Sequence, residues 1–514
     1  MNYWELFRIT LPETMLEIAA LLVLIVDLGL LRKAALQTRL VVAALLGVLG
    51  CIAAQGALVV APAGGLILPG STDVALATMG SAAVAQTCIL ALTVLTLFLL
   101  VNSDFTRHVG EFVAVILMAA TGGLLVASAQ DLLLIFVGLE LLSLGLYILT
   151  AFAKRSGASA EAAIKYYLFG GMSAAFLLFG FSYLYGITGT TNLHAIMRGI
   201  YTPNAMQAAP LLYVALVMVL AGLGFKVAAV PFHLWAPDAY EGAPAPAAAF
   251  IASASKVASF ALLISIGTAA LHAFDGVMAA PMVTMGGSCC HGGFLGFVPA
   301  WSKLLIVLAG VSMIVGNLAA LAQTNVRRLL AYSAIAHAGY LLLGLAFFSY
   351  TPRSAQAILY YIFTYGLTTV GAFGVVGVVE KATGSARLEA FLGLSKRSPM
   401  LAAVLLVLFL SLAGIPPLVG FWAKFNLFAA VLGVSMSRLA VGMVALAVAM
   451  SAVSLYYYLQ VLKRAYVMPA VDDRPVEVHP TTLMVLVVIA AGVVLLGCFP
   501  ALVQSWMASF YATM

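Results

Sequence analysis

Three lysines and one glutamate interrupt the long apolar runs of this sequence. Glu140 lies in LIFVGLELLSLGLYIL, Lys226 in GLGFKVAAVPFHLWAPD, Lys256 in IASASKVASF and Lys424 in GFWAKF. A charge in such surroundings is expensive, and it marks a route for ions or protons unless it is statically paired. Pairing does not balance here, because three lysines face one equally central acid. The chemistry open to a desolvated ammonium is proton transfer: loss of water weakens its hold on the proton, and a nearby carboxylate strengthens it. At ~4 Å and an effective dielectric of ~20 such a pair is worth ~4 kcal/mol, and doubling the separation halves that. A small displacement of Glu140 relative to Lys226 would therefore release or recapture a proton. Pro231 and Pro237 break the helix just after Lys226, so freed backbone groups are expected to solvate that ammonium.

Weaker candidates surround these four. His233 and His337 (in AYSAIAHAGYLL) are suited to relay protons near neutral pH. Lys165 follows Glu161 by one helical turn, which by itself reads as a surface pair. Asp27 and Glu17 in the first apolar run read as capping or pairing groups, and His194, His272 and His291 as loop residues. The five cysteines (Cys51, Cys88, Cys289, Cys290 and Cys498) form no C-x-x-C, and Cys289-Cys290-His291 sits in a Gly-rich loop without metal-site spacing. No metal site is expected. G-x-G-x-x-G, Walker, haem and iron–sulfur patterns are absent from the sequence. The chemistry expected of this chain is thus protonation alone. Its energy source must be an ion gradient or other subunits of a larger pump.

Positioning these charges falls to membrane helices. Of 514 residues 64% are hydrophobic and 8% charged, which excludes a soluble protein of this length. The net charge of +6 is no nucleic-acid signal, because the basic residues are scattered between apolar runs. Glu5, Arg8, Glu13 and Glu17 argue against a cleavable signal peptide. Fourteen spans are expected, at roughly 12–31, 40–62, 80–101, 110–128, 131–153, 160–187, 208–230, 244–270, 301–322, 328–349, 354–379, 399–433, 437–462 and 481–510. The twelfth is too long for one straight helix and is interrupted at Gly414-Ile415-Pro416-Pro417. Like the seventh, it reads as discontinuous. With the N-terminus outside, fifteen of the 24 Lys and Arg fall in cytoplasmic loops and five outside, so both termini are placed outside. An internal repeat is visible: SAEAAIKYYLF (159–169) matches SAQAILYYIF (354–363), and LAGLGF (220–225) matches LAGIPP (412–417). Five expected spans separate the copies, which inverts the second, a pattern of transporters with broken helices. Counted from the LAG anchors, Lys424 falls nearer the position of His233 than that of Lys226.

The segments VPFHLWAPDAYEGAPAPAAAFIASASK, AIKYYLFGGMSAAFLLFGFSYLYG, NVRRLLAYSAIAHAGYLLLG and LAGIPPLVGFWAKF resemble the antiporter-like membrane subunits of respiratory complex I, the bacterial NADH–quinone oxidoreductase, over essentially the whole length. Within that family PDAYEGAP sides with the N-type subunits. An M-type subunit would carry glutamate in place of Lys424, and an L-type subunit would extend into a long lateral helix beyond the fourteenth span. The Mrp-type sodium–proton antiporters are similar in layout and form the alternative.

The resemblance implies an all-α polytopic membrane protein with fourteen helices and two inverted five-helix repeats, each containing a discontinuous helix. Its divisions would be 1–109 (three N-terminal helices), 110–270 (first repeat), 271–300 (an outer loop longer than the family's usual connection), 301–465 (second repeat) and 466–514 (a last helix). It implies a proton path through Glu140, Lys226, Lys256 and Lys424, with Lys165, His233 and His337 as secondary members. Glu140 would tune Lys226, Lys256 would carry the path inward, and Lys424 would face the outlet or a neighbouring subunit. It implies partners among the membrane-arm subunits, an antiporter-like M-type chain and small subunits such as K, besides membrane lipids. No cofactor is expected in this chain; FMN, iron–sulfur clusters and quinone belong to partner subunits. The implied location is the bacterial inner membrane.

Overall fold

The computed structural model describes residues 3–62, 64–67, 73–200, 208–279, 297–348, 352–470 and 474–512. Most of the expected loop 272–300, with Cys289, Cys290 and His291, lies outside them. Among the described residues, twelve helices are long and apolar enough to cross a membrane. The short helix α1 (Tyr3–Ile9) leads into α2 (Leu11–Ile25), which continues as a π-helical stretch, Val26–Leu30. That stretch carries Asp27, whose carboxylate takes two hydrogen bonds from Arg39 (2.7 and 2.6 Å) and one from the Gly110 N–H (2.9 Å). Asp27 is thus a structural pair, whereas Glu17 is exposed. Glu13 is the buried acid of this region; Gln86 Nε2 reaches it at 3.3 Å.

Helices α3 (Leu36–Val60) and α4 (Ser81–Leu100) follow, with a small antiparallel pair, β1 (Leu66–Ile67) and β2 (Val74–Leu76), between them. Then come α5 (Val109–Ser128), α6 (Leu132–Thr150), α7 (Gly157–Thr188) and the short α8 (Leu193–Gly199). The first broken span is α9 (Ala209–Val227) with α10 (Trp235–Gly242). The next span is also split, into α11 (Ala245–Ala252) and α12 (Ala254–Ala279). Beyond them lie α13 (Phe297–Leu321), α14 (Val326–Ala346) and α15 (Pro352–Thr383). After the one-turn helix α16 (Leu394–Arg397) comes the second broken span, α17 (Pro399–Ala413) and α18 (Val419–Val434), and then α19 (Arg438–Tyr466). The expected span 481–510 is two helices, α20 (Pro480–Cys498) and α21 (Ala501–Ala512), because Pro500 ends the first.

Two local devices occur twice. The side chain of Asp131 caps α6 by accepting from Leu133 N (2.9 Å), and Asn325 caps α14 by accepting from Arg327 N (2.8 Å). Each cap residue also forms a backbone bridge to the loop that follows the next helix, Asp131 to Asn192 and Asn325 to Arg387. Both breaks share a second device. A left-handed residue ends the first half-helix, Ala228 (φ 61°) after α9 and Gly414 (φ 88°) after α17, and a proline follows three positions on, Pro231 and Pro417.

The split span 245–271 runs through the centre, and its apolar window is wholly buried. α15 is the other central helix, packed on α4, α11, α12, α14, α17, α18 and α20. By contrast α7 turns Ile164, Leu168, Met172 and Phe179 outwards, as a lipid-facing helix does.

Candidate proton-transfer site

Lys226 occupies the last turn of α9, two residues before the break. Its ammonium donates to the Ser143 hydroxyl of α6, and Ser143 in turn donates to the Leu139 carbonyl. Glu140 is half-buried one turn before Ser143. It acts on Lys226 electrostatically, yet no ion pair within 4 Å joins them among the described residues. The expectation that freed backbone carbonyls solvate Lys226 is corrected here. Trp235 Nε1 donates to the Phe225 carbonyl at 2.9 Å and the Ala229 N–H to that of Gly224 at 2.8 Å, so these two carbonyls are taken within the break, and the Lys226 ammonium goes to Ser143 instead.

Lys256 stands one turn into α12, just past the discontinuity at Ser253. That serine has φ −121° and ψ −85°, and its hydroxyl bonds the Ala249 carbonyl at 2.6 Å. The Lys256 side chain is 2% exposed and donates to the Ala334 carbonyl of α14 at 2.9 Å. Its ammonium lies 6.0 Å from the centre of the Tyr365 ring, within range of a cation–π contact. The Tyr365 ring lies against His337, with centroids 4.7 Å apart. His337 is buried in α14; its Nδ1 shares a hydrogen bond with the Tyr361 hydroxyl at 2.9 Å, and its Nε2 has no partner among the described residues. On its other side His337 meets the edge of Tyr340 at 5.7 Å, and Lys424 stands 5.7 Å from that ring.

Lys424 is 6% exposed, in the second turn of α18. Its ammonium reaches back across the break to the carbonyls of Leu412 (3.1 Å) and Ala413 (2.8 Å), and to the Ser451 hydroxyl of α19 (2.8 Å). These carbonyls belong to the last turn of α17, which has no following turn to bond them. The αL caps Ala228 and Gly414 refine the comparison made from the LAG anchors. Lys226 precedes its cap and Lys424 follows its own, so they flank their breaks from opposite sides.

A continuous series of contacts therefore runs from Lys256 through Tyr365, His337 and Tyr340 to Lys424. Lys226, Ser143 and Glu140 form a separate cluster in the first half of the chain. Two bonds near this line join the halves: Lys256 to Ala334, and the Val230 N–H, inside the first break, to the Ser312 hydroxyl of α13 at 2.9 Å. His233 is half-buried with Nδ1 unpartnered, and no hydrogen bond or ring contact joins it to the lysines among the described residues.

Lys165 lies elsewhere. It bonds Glu161 at 2.6 Å, the expected pair, and also Asp238 at 2.9 Å. Asp238 accepts from Arg328 at 2.6 Å, and Arg328 reaches Glu241 at 2.9 Å. Burial pushes the Asp238 carboxyl up, but the hydrogen bonds from Lys165 and Arg328 outweigh it and hold the group below its ordinary range. This surface network links α7, α10 and α14. Asp238, Glu241 and Arg328 fall within segments that carry the family resemblance, but the sequence does not single them out as partners. Ser143, Tyr340, Tyr361, Tyr365 and Ser451 are the neutral members that sequence reasoning passed over. The hydroxyls of YYIFTYGLTT at near-helical spacing are the signal that points to the tyrosines.

The sequence profile of one membrane family, described as NADH:quinone oxidoreductase/Mrp antiporter, TM, matches residues 129–290 and 276–451. The chain belongs to this family. A relative from Acidobacterium capsulatum, NADH-quinone oxidoreductase subunit N 2, is 48% identical over 98% of this chain and 99% of its own. Another from Roseiflexus castenholzii, NADH-quinone oxidoreductase subunit N 1, is 40% identical over 86% of this chain and 81% of its own. Among solved structures, a chain of respiratory complex I from Thermus thermophilus with bound aureothin is 33% identical. It superposes with a TM-score of 0.75 over 96% of this chain and 98% of that one. A chain of the Mrp complex from Dietzia sp. has a TM-score of 0.76 at 21% identity over 98% of this chain and 97% of its own, a likeness of fold alone.

Proposed function

We propose that this chain is the N-type, proton-translocating membrane-arm subunit of bacterial NADH–quinone oxidoreductase. It moves protons through the inner membrane while electrons pass from NADH to quinone in other subunits. The full-length relationship at 48% identity supports the assignment to that enzyme. The observation that carries the mechanism is that all three core lysines are bonded to neutral oxygens and not to carboxylates: Ser143, Ala334, and the Leu412–Ala413–Ser451 set. An ammonium held this way can lose its proton without leaving a counter-ion stranded.

In this reading Glu140 governs Lys226 through the space that Ser143 fills, and a shift of α6 against α9 changes their attraction. Lys256 joins the two halves. The proton then moves towards Lys424 by way of His337, whose two ring nitrogens allow it to accept on one side and donate on the other. His233 and Lys165 serve at the ends of the path, Lys165 through its link to Asp238. The two halves act as inverted repeats, each hinged at its broken helix. Both termini lie on the periplasmic side. An M-type antiporter-like chain and small subunits such as K are its neighbours, and FMN, iron–sulfur clusters and quinone reside in partner subunits. The alternative, sodium–proton exchange of the Mrp kind, has less support in the site: sodium prefers oxygen ligands, and the central charges here are three lysines with one acid, Glu140.

The test is proton pumping measured beside NADH–quinone turnover in membranes carrying Lys226→Ala, with assembly followed on native gels. Both activities are expected to fall in an intact complex. If both persist, Lys226 is a static anchor and the path lies elsewhere.

A further inference from the structure

Asn317 stands in LAGVSMIVGNLAAL, near the end of α13, and is wholly buried. A carboxamide in such apolar surroundings is costly unless its polar atoms are met, and in membrane helices it is met across to neighbouring helices. Its Nδ2 donates to the Met313 carbonyl of its own helix at 2.8 Å and to the Tyr340 hydroxyl of α14 at 3.2 Å. Its Oδ1 accepts from the Tyr457 hydroxyl of α19 at 3.1 Å. One side chain thus joins three helices, and it does so at the ring that stands between His337 and Lys424. Tyr340 and Tyr457 are buried as well.

The directions of these bonds follow from the groups themselves. A carbonyl can only accept, so Met313 fixes which end of the amide carries the hydrogens. The Tyr340 oxygen is then the acceptor from Asn317, and its own hydrogen points elsewhere. Tyr457 must donate, because Oδ1 has no hydrogen to give. The order runs one way, from Tyr457 through Asn317 to Tyr340. Among the described residues, Asn317 makes the only hydrogen bond to the Tyr340 hydroxyl. The body of that ring is held by contacts without direction: the edge of His337 at 5.7 Å, the Lys424 ammonium at 5.7 Å and the Phe428 ring at 6.0 Å. The bond from Asn317 is what fixes the hydroxyl end.

We propose that Asn317 is a positioning residue for proton transfer, holding the Tyr340 hydroxyl and with it the ring that separates His337 from Lys424. The assignment rests on the reading of the lysine line as the proton path. The test measures proton pumping and coupled turnover of the assembled complex in membranes carrying Asn317→Leu, Tyr340→Phe and both changes. Asn317→Leu should lower coupled turnover about fivefold, which converts to ~1 kcal/mol. The double variant should be no slower than the slower single variant, because each change breaks the same bond. Losses that multiply would overturn the role.

Asn317→Asp separates positioning from packing. It keeps the shape of the side chain and the acceptor for Tyr457. As a carboxylate it offers Tyr340 no donor, and as an acid it does. Its turnover relative to wild type should therefore rise as the pH is lowered. A deficit of the same size at every pH would overturn the role. Being isosteric, this variant also keeps the test decisive if leucine prevents assembly. His337→Phe, measured beside them, tells the failure of this assignment from the failure of the path. Wild-type pumping in Asn317→Leu with loss in His337→Phe would overturn the positioning role alone; wild-type pumping in both would overturn the path with it.

Discussion

The two helix breaks use one backbone device and treat their lysines differently. At the first, the carbonyls released at the end of α9 are taken by Trp235 and by the turn itself, and Lys226 is left with the Ser143 hydroxyl and the field of Glu140. At the second, no tryptophan among the described residues fills that role towards Leu412 and Ala413, and Lys424 lies across the gap on both carbonyls and on Ser451. The first lysine is half-buried with one acceptor; the second is buried with three. A break therefore does not by itself solvate a nearby charge. What matters is which side of the break the lysine stands on and what else competes for the carbonyls. In the proposed mechanism the first site is the tunable one, and the second keeps its lysine in a fixed position at the end of the line.

The largest effect that can break this comparison is expected from Gly414→Ala. The residue is left-handed, where an alanine costs ~1–2 kcal/mol. Its Cβ would also stand 3.0 Å from Lys424 Cδ and 3.2 Å from Nζ. Heat inactivation of the complex should shift downwards and coupled turnover should drop with it. Next comes the difference between the two hydroxyls. A hydrogen bond to a charged group is worth ~1.5–3 kcal/mol, so Ser143→Ala, which removes the single acceptor of Lys226, should cut coupled turnover by about tenfold. Ser451→Ala leaves Lys424 its two carbonyls and should cost about twofold or less; equal losses in the two variants would erase the distinction. The smallest effect is expected from Ala228→Gly. It relieves an alanine at φ 61°, and after the entropy of the added glycine the gain is ~1 kcal/mol or less. A slight rise in the temperature of inactivation, with turnover unchanged, is the expected result.

Much of this was legible in the sequence. A lysine in an apolar run is conspicuous, and so is a proline within two turns of it, so Lys226, Lys256, Lys424 and both proline breaks could be read directly. The split at Ser253 could not, because AFIASASKVASF contains no proline or glycine and the turn is made by a serine bonding its own helix. Pro500 was visible, but the apolar residues around it masked the end of α20. The neutral members of the site were hidden for a different reason. Ser143 or Tyr365 in a membrane helix is ordinary by type, and only the tertiary fold shows which lysine or histidine it touches. The surface network at Asp238 was unreadable for the same reason, since its partners lie on three separate helices.

The central claim is that protons pass along the line from Lys256 to Lys424, with His337 as the member whose two nitrogens bridge it. The most direct measurement is proton pumping per NADH oxidised, together with quinone turnover, in an assembled complex carrying His337→Phe. The ring would keep its packing against Tyr340 and Tyr365 and lose its titratable nitrogens. The account predicts that pumping and turnover fall together by at least about tenfold, the scale of a lost acid–base group, with every subunit retained. Pumping at the wild-type ratio and rate would contradict it and leave His337 a packing residue between two fixed cations.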